Sequence, residues 1–443
     1  MVNLSGAQLC LVNRPANDAG REAADMQKTL TAALRMMEAG AATPEQLCVY
    51  SDYLETMAFA SASRWFGPAG LAQASSEYFA LADALQERFA ADATRRESEI
   101  GRRTTLSAMT LLVGRVIRFM GDDATDGDAP IERWLVRTIR ATSERFRRWC
   151  PPNQAHRAEM LSVLVYALVN AASRATEQLT GDEATPTAPN ASDKPLLDET
   201  LATLDEALET VRELVHVHHT SEWFDKGVPS ARNRKASRVV RALEGVAWSH
   251  DMLSQVGVAQ DETRLVRLID VVEKLWTQAL AEPQEVQGLL ATAAHLTSAW
   301  SQLVEDGRTK STQPASRSLW LARQATGKHG GDAVTAHRLI DVAQASVLVA
   351  GVALRSRIAR SVQLATRAAE LVAATAEKCP GRVPQQALMS VLGNLTRFAA
   401  QAVERREPQC PELLDQLTCI TNAALPRPSR GSADADPDAA RLG

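Results

Sequence analysis

Seven basic side chains could do chemistry in this sequence, by holding an acidic protein surface or the backbone of a nucleic acid. They fall into two groups at helical spacing, Arg234, Lys235, Arg238 and Arg241 in one and Arg357, Arg360 and Arg367 in the other. If the helices stack in register, the two groups form one basic concave surface. The alternative is a pair of solvated helix faces paired with nearby Asp and Glu, which the net charge of −4 favours.

A histidine cluster closes another helical segment. His216 and His219 share a helix face, which is usable geometry for a metal ligand pair, and His218 lies between them. No Cys, Asp or Glu stands at a matching distance to complete a tetrahedral set. The simpler interpretation places a cation at a helix C-terminus, where it is mildly favoured, so we predict no metal.

Two loop-like patterns have equally simple interpretations. The segment 121–128 (GDDATDGD) lacks the bidentate Glu of a calcium loop, because Arg133 occupies that position. The segment 327–331 (GKHGG) lacks the Ser or Thr that follows the lysine of a phosphate loop. We predict an acidic turn for the first, and for the second a helix that ends at Gly327, followed by an N-cap at Asp332.

No linear catalytic motif is present. The sequence contains neither Gly-x-Ser-x-Gly nor His-Glu-x-x-His, and no cysteine has a plausible histidine partner. His250 and Asp251 are adjacent, but neighbours on a helix point about 100° apart. We therefore expect no enzyme and no cofactor, with an all-α enzyme that has no linear motif as an alternative.

The elements that position these residues have the periodicity of helices. From Leu354 to Val372, apolar residues recur at steps of three and four, as one stripe on a helix. We find no alternating β-branched run bounded by turn signals. The expected fold is all-α, built from stacked antiparallel helix pairs, either solenoid-like or an irregular multi-helix bundle, with no sheet.

The domain organisation follows from one change in composition. A segment rich in Pro, Ala, Thr and Asp has no apolar periodicity and indicates a linker. The predicted parts are a flexible leader (1–19), an N-terminal helical domain (20–180), the linker (181–195), a C-terminal helical domain (196–425) and a disordered tail (426–443).

Tryptophans suggest an internal repeat. Trp65, Trp149, Trp223 and Trp300 are separated by 84, 74 and 77 residues. Each gap holds two units of 37–42 residues, the size of a two-helix solenoid repeat. The alternative is chance spacing of a common core residue.

Three stretches with the apolar pattern of helices carry a resemblance to known repeats: Leu161–Arg174 (LSVLVYALVNAASR), Leu289–Trp300 (LLATAAHLTSAW) and Met389–Phe398 (MSVLGNLTRF). Helices of this kind that end near Trp resemble degenerate HEAT/armadillo-like repeats and, within these, the repeat-type secreted effectors of plant-associated bacteria. The Ser-Lys-Trp-Pro signature of those effectors is not complete here, since no Trp-Pro pair occurs. The resemblance implies a helical-repeat protein that acts through partners after delivery into a host, and it transfers no functional residue.

Composition limits location and partners. The six cysteines form no Cys-x-x-Cys pair, which is typical of a reducing compartment. The N-terminus lacks the pattern of a cleaved secretory signal, and no run is apolar enough for a membrane span. We expect a cytoplasmic protein of the producing cell, with export to a host as a further possibility. Its predicted function is non-enzymatic binding of a partner protein, with a nucleic-acid-binding solenoid as the alternative.

Overall fold

The computed structural model of the protein describes seven stretches between residues 133 and 424, together with 80–88 and a few isolated residues before them. The stretches are 133–150, 157–181, 187–217, 229–279, 283–329, 332–379 and 383–424. Every regular element in these stretches is an α-helix, which confirms the all-α prediction. The leader, the tail and the acidic segment 121–128 lie outside them.

The chain divides into two compact units, Met1–Gly257 and Val258–Gly443. The described helices of the first unit are α1 (Arg133–Trp149), α2 (Arg157–Thr180), α3 (Lys194–Val217) and α4 (Pro229–Gln255). Helix α2 packs against both α3 and α4, and α1 packs against α2 and α3. The division therefore falls after Gly257, whereas the predicted linker 181–195 connects two helices that pack within the first unit.

The second unit is a stack of helix pairs. Its described helices are α5 (Glu262–Ala279), α6 (Pro283–Glu305), α7 (Gln313–His329), α8 (Ala333–Arg355), α9 (Ser361–Lys378), α10 (Gln385–Glu404) and α11 (Cys410–Ala424). The longer helices α6, α8 and α10 pack side by side in one layer. The shorter helices α5, α7, α9 and α11 pack in a second layer. This two-layer order is that of a solenoid.

Helix α8 is the central helix of its layer. Among the described residues it alone is long and apolar enough to cross a membrane, with a mean hydropathy of 1.3 over its best window. It contacts α6 on one side, α10 on the other, and both α7 and α9 beneath. Several of its alanines, such as Ala343 and Ala350, are fully buried, and small side chains allow close helix packing. These contacts make it a core helix.

The structural repeat is longer than the tryptophans predicted. Left-handed residues follow α4, α6, α8 and α10 at intervals of 50, 50 and 49 residues: Gly257, Gly307, Arg357 and Arg406. The predicted period of 37–42 residues is wrong for this region. Trp149 ends α1 while Trp300 lies inside α6, so the two mark different places. The two other tryptophans fall outside the described residues.

Candidate interaction site

The basic residues of the second unit lie in the turn between α8 and α9. The sequence predicted one continuous stripe from Leu354 to Val372, but α8 ends at Arg355 and α9 begins at Ser361. The amide of Ile358 donates to the carbonyl of Ala353 at 2.8 Å, which closes the helix end in a Schellman arrangement. Arg357 is the left-handed residue of this arrangement. The chain therefore reverses direction between α8 and α9, and α9 packs in the second layer.

The same closure recurs in the neighbouring turns, with different residues at the left-handed position. Arg308 donates its amide to Leu303 at 3.0 Å, and Glu407 donates to Ala402 at 3.0 Å. Glycine occupies the left-handed position after α4 and α6, but arginine occupies it after α8 and α10. A residue with a Cβ pays roughly 1–2 kcal/mol for this conformation relative to glycine. The fold alone therefore favours glycine in all four turns.

The first cavity at this edge, with a volume of about 710 Å³, lies between the turn after α6 and the turn after α8. Its charged lining residues are all basic: Lys310, Arg357, Arg360 and Arg367. All four are exposed. In the described part of the chain, none of these side chains makes an ion pair. The cavity thus concentrates positive charge that no carboxylate among the described residues neutralises.

The second cavity, of about 720 Å³, lies between the turns after α8 and after α10. Arg357 and Arg360 line it from one side, so the turn after α8 forms the wall that the two cavities share. Arg405 and Glu407 line it from the other side. The guanidinium of Arg405 donates to the carbonyl of Leu354, which ties the two turns together.

The structure brings together the second group of predicted residues in one cavity, although they do not share a helix face. Arg357, Arg360 and Arg367 line one cavity, but the first two belong to a turn instead of a helix face. Sequence reasoning missed Lys310. The signal was present, because Lys310 follows Gly307 at the same distance as Arg360 follows Arg357.

The first group of predicted residues belongs to the other unit. Arg238 is half-buried on α4 and Arg241 is exposed. The side chains of Arg234 and Lys235, though on α4, are not among those described. Each group is therefore a surface of its own unit, and the single concave surface stays a prediction.

The remaining candidate residues that the structure describes lie in helices or at helix ends. His216 lies in the last turn of α3, whereas His218 and His219 lie beyond the described part of that helix. Helix α7 continues to His329, so the expected helix end at Gly327 is wrong. Asp332 does cap α8 by accepting from the amide of Thr335 at 2.8 Å, and these hydrogen bonds lower the pKa of its carboxyl. Among the described residues, no group of three His, Cys, Asp or Glu could hold a metal ion.

Comparisons with known proteins give little further information. No protein-family model matches the chain, and no curated protein matches it. Among solved structures, it is similar to a "Circular tandem repeat protein with novel repeat topology and enhanced subunit contact surfaces". The match has 16% sequence identity and covers 91% of this chain and 88% of the other, with a TM-score of 0.40. The assignment of an all-α repeat fold therefore depends on the helices and turns described above.

Proposed function

We propose that this chain is a non-enzymatic helical-repeat interaction protein that binds a partner protein. The observation that carries the proposal is the pair of adjacent cavities at the turn edge of the second unit, with arginines between them that pair with no carboxylate of the described residues. Basic side chains without partners in the fold are available to a carboxylate from outside. An exposed Trp320 on α7 adds an aromatic side chain of the type that dominates protein interfaces.

The proposal extends to the place where the protein acts. The resemblance of its helical stretches to repeat-type effectors supports synthesis in a bacterial cytoplasm and delivery to a host cell without a cleaved signal. A reporter fused to the C-terminus, expressed in a plant-associated bacterium, tests delivery. Reporter signal in host cells that requires a working secretion apparatus supports delivery, and signal confined to the bacterium contradicts it.

The binding function is tested by affinity capture from host-cell extract with and without nuclease, followed by mass spectrometry. A specific protein that survives nuclease and competes with excess untagged chain supports the proposal. Recovery dominated by nucleic acid and lost with nuclease contradicts it. Each capture is run in parallel with the Arg360→Glu variant, which reports whether the turn edge is the contact surface.

A nucleic-acid-binding solenoid is the second candidate, favoured by the exposed Arg241 and by the unpaired arginines after α8. It predicts binding that weakens steeply with salt, because phosphate contacts release counterions. Reversing the charges of Arg234, Arg238 and Arg241 together should abolish that binding. Unchanged nucleic-acid binding by this triple variant removes α4 from the candidate surface.

A further inference from the structure

We propose that the two cavities flanking Arg357 and Arg360 bind one extended acidic segment of a partner protein, with its carboxylates at every third residue. This inference rests on the proposed function and adds the surface and the chemistry of the ligand. The surface is called the turn-edge site below, and its basic residues are Lys310, Arg357, Arg360, Arg367 and Arg405.

The internal repeat shows why the turn-edge site has surplus positive charge. Arg317 on α7 donates to Asp270 and Glu273 on α5, each at about 2.6 Å. The repeat equivalent of Arg317, 50 residues later, is Arg367.

The acidic partners are not repeated with it. Trp320 and Arg323 occupy the positions equivalent to Asp270 and Glu273, and Arg323 is itself paired with Glu370 at 3.1 Å. An arginine that is neutralised in one repeat is therefore left without a carboxylate in the next, and it lines the first cavity. A ligand carboxylate would replace the missing partners.

The left-handed position gives a second, independent indication. Gly257 and Gly307 satisfy the backbone requirement in two turns without any side-chain contact. Arg357 occupies the same position in the turn that separates the cavities and projects into the lining of both. The backbone there prefers glycine. Arginine also occupies the equivalent position after α10, but Arg406 lines neither cavity, so the distinguishing feature of Arg357 is that its side chain borders both.

The spacing of the cavities fits an extended peptide. Neighbouring helices in a layer are about 8–10 Å apart, so adjacent inter-repeat cavities recur at about that distance. A polyproline II chain has three residues per turn and rises about 3.1 Å per residue, so residues i and i+3 project from one side about 9 Å apart. One carboxylate at every third residue therefore places one charge in each cavity.

The lining favours a peptide over a nucleic acid. Glu407 lies in the second cavity, and Glu305 pairs with Arg355 at 3.3 Å beside the same edge, so the positive charge along this edge is interrupted. A nucleic acid carries a charge at every nucleotide, whereas a peptide with spaced carboxylates places charge only beside the arginines. Neither lining contains an aromatic side chain on which a base could stack. Ile358, which is half-buried and lines both cavities, instead offers aliphatic surface to the residues between the acidic ones.

The test measures binding of fluorescent peptides to the full chain at low salt by fluorescence anisotropy. The probe has about twelve residues with Glu at every third position among Pro and Ala, and the control peptide has the same composition with contiguous Glu. A single-stranded oligonucleotide of similar length is the third ligand. Arg360→Glu is the main variant. Arg360 is the N-cap of α9 and is left-handed, with a φ of 68°, so this substitution exchanges one residue with a Cβ for another, and a carboxylate is favourable at a helix N-terminus.

The matched control variant is Arg406→Glu. Arg406 is also an exposed left-handed arginine in a turn, but it lines neither cavity. We expect Arg360→Glu to weaken binding of the spaced peptide about tenfold or more, and Arg406→Glu to leave it unchanged. Arg357→Gly should weaken binding while raising Tm by about 2–4 °C, which separates loss of the site from loss of the fold.

Three results overturn the inference: no binding of the spaced peptide, equal binding of both peptides, or an equal effect of Arg360→Glu and Arg406→Glu. Tighter, Arg360-dependent binding of the oligonucleotide also overturns it, in favour of a nucleic-acid ligand. If the peptide test fails while a nuclease-resistant protein is captured equally by the wild type and by Arg360→Glu, only this inference fails. If no protein is captured either, the proposed function fails with it.

Discussion

Between α1 and α3 of the first unit, arginines cross to glutamates of the facing helix, whereas along the turn edge of the second unit arginines face cavities. Arg140 contacts Glu199 at 2.8 Å and Arg147 contacts Glu206 at 2.7 Å, one heptad further along both helices. A third pair, Arg157 with Glu213, extends the series from α2.

Glu199 and Glu206 are buried and Glu213 is half-buried, so the pairs are part of helix packing. The difference between the two regions shows that arginine content alone does not identify a binding surface. The presence or absence of an acidic partner in the fold separates a structural arginine from one available to a ligand.

The largest expected effect comes from breaking the series at Glu206. Its side chain is 6% exposed and accepts from Arg147 and, at 2.9 Å, from the hydroxyl of Ser143. Glu206→Ala removes the carboxylate that Arg147 contacts and leaves Ser143 only the hydroxyl of Thr210, at 3.4 Å, so the free energy of unfolding should fall by about 3 kcal/mol. Urea unfolding of the full chain followed by circular dichroism measures this change.

Glu209 provides the control on the same helix. It is 37% exposed and pairs with Arg212 within its own helix at 2.8 Å, so Glu209→Ala should change stability by no more than about 0.5 kcal/mol. Equal effects at Glu206 and Glu209 would show that the Arg–Glu series does not stabilise the first unit.

A smaller change in stability should distinguish Arg317, which is paired, from its repeat equivalent Arg367. Arg317→Ala removes hydrogen bonds to two carboxylates, and the strength of these contacts raises the pKa of its guanidinium. The side chain is 21% exposed, so a loss of about 1–1.5 kcal/mol is expected.

Arg367→Ala is the matched substitution at the equivalent position. It should alter stability by about 0.5 kcal/mol or less, because no carboxylate is left behind. Urea titrations of both variants measure the two free energies of unfolding. A larger loss for Arg367→Ala would mean that this arginine has a structural role.

Two substitutions at equivalent left-handed positions should change the free energy of unfolding by about 1 kcal/mol in opposite directions. Arg357→Gly should stabilise the fold by about this amount, and Gly307→Ala should destabilise it by a similar amount, because each changes the residue at an equivalent left-handed position. A Cβ at Gly307 meets no atom within 4 Å, so the loss in that variant reports the backbone alone. Thermal unfolding checks both signs, and a loss of stability in Arg357→Gly would assign Arg357 a packing role.

The helical fold was predictable from apolar periodicity, and the N-cap at Asp332 from its residue type. The turn after α8 was not predictable, because its left-handed position holds Arg357 and not the glycine that would signal a helix end. The apolar spacing of Leu354 and Ile358 continues across the turn as it would along a helix. Lys310 joins Arg367 in one cavity through packing of neighbouring repeats, and the sequence indicates such a contact only when the 50-residue period is known.

The smallest expected effect is the pH dependence of the Arg–Glu series. Burial raises the pKa of Glu206 above its ordinary value of 4.5, although Arg147 and Ser143 oppose this shift. The folded state then holds a proton more tightly than the unfolded chain between the ordinary and the raised pKa. The contribution of Glu206 to stability therefore falls as pH rises through this window.

Glu206→Gln isolates this contribution, because glutamine keeps an acceptor for Ser143 but does not titrate. The wild type should lose free energy of unfolding relative to Glu206→Gln as pH rises through the window, and the difference between the two should then stay constant. A difference that instead widens with rising pH would show that the ionised carboxylate stabilises the packing of α1 against α3. The Arg–Glu series would then stabilise the first unit through its charge.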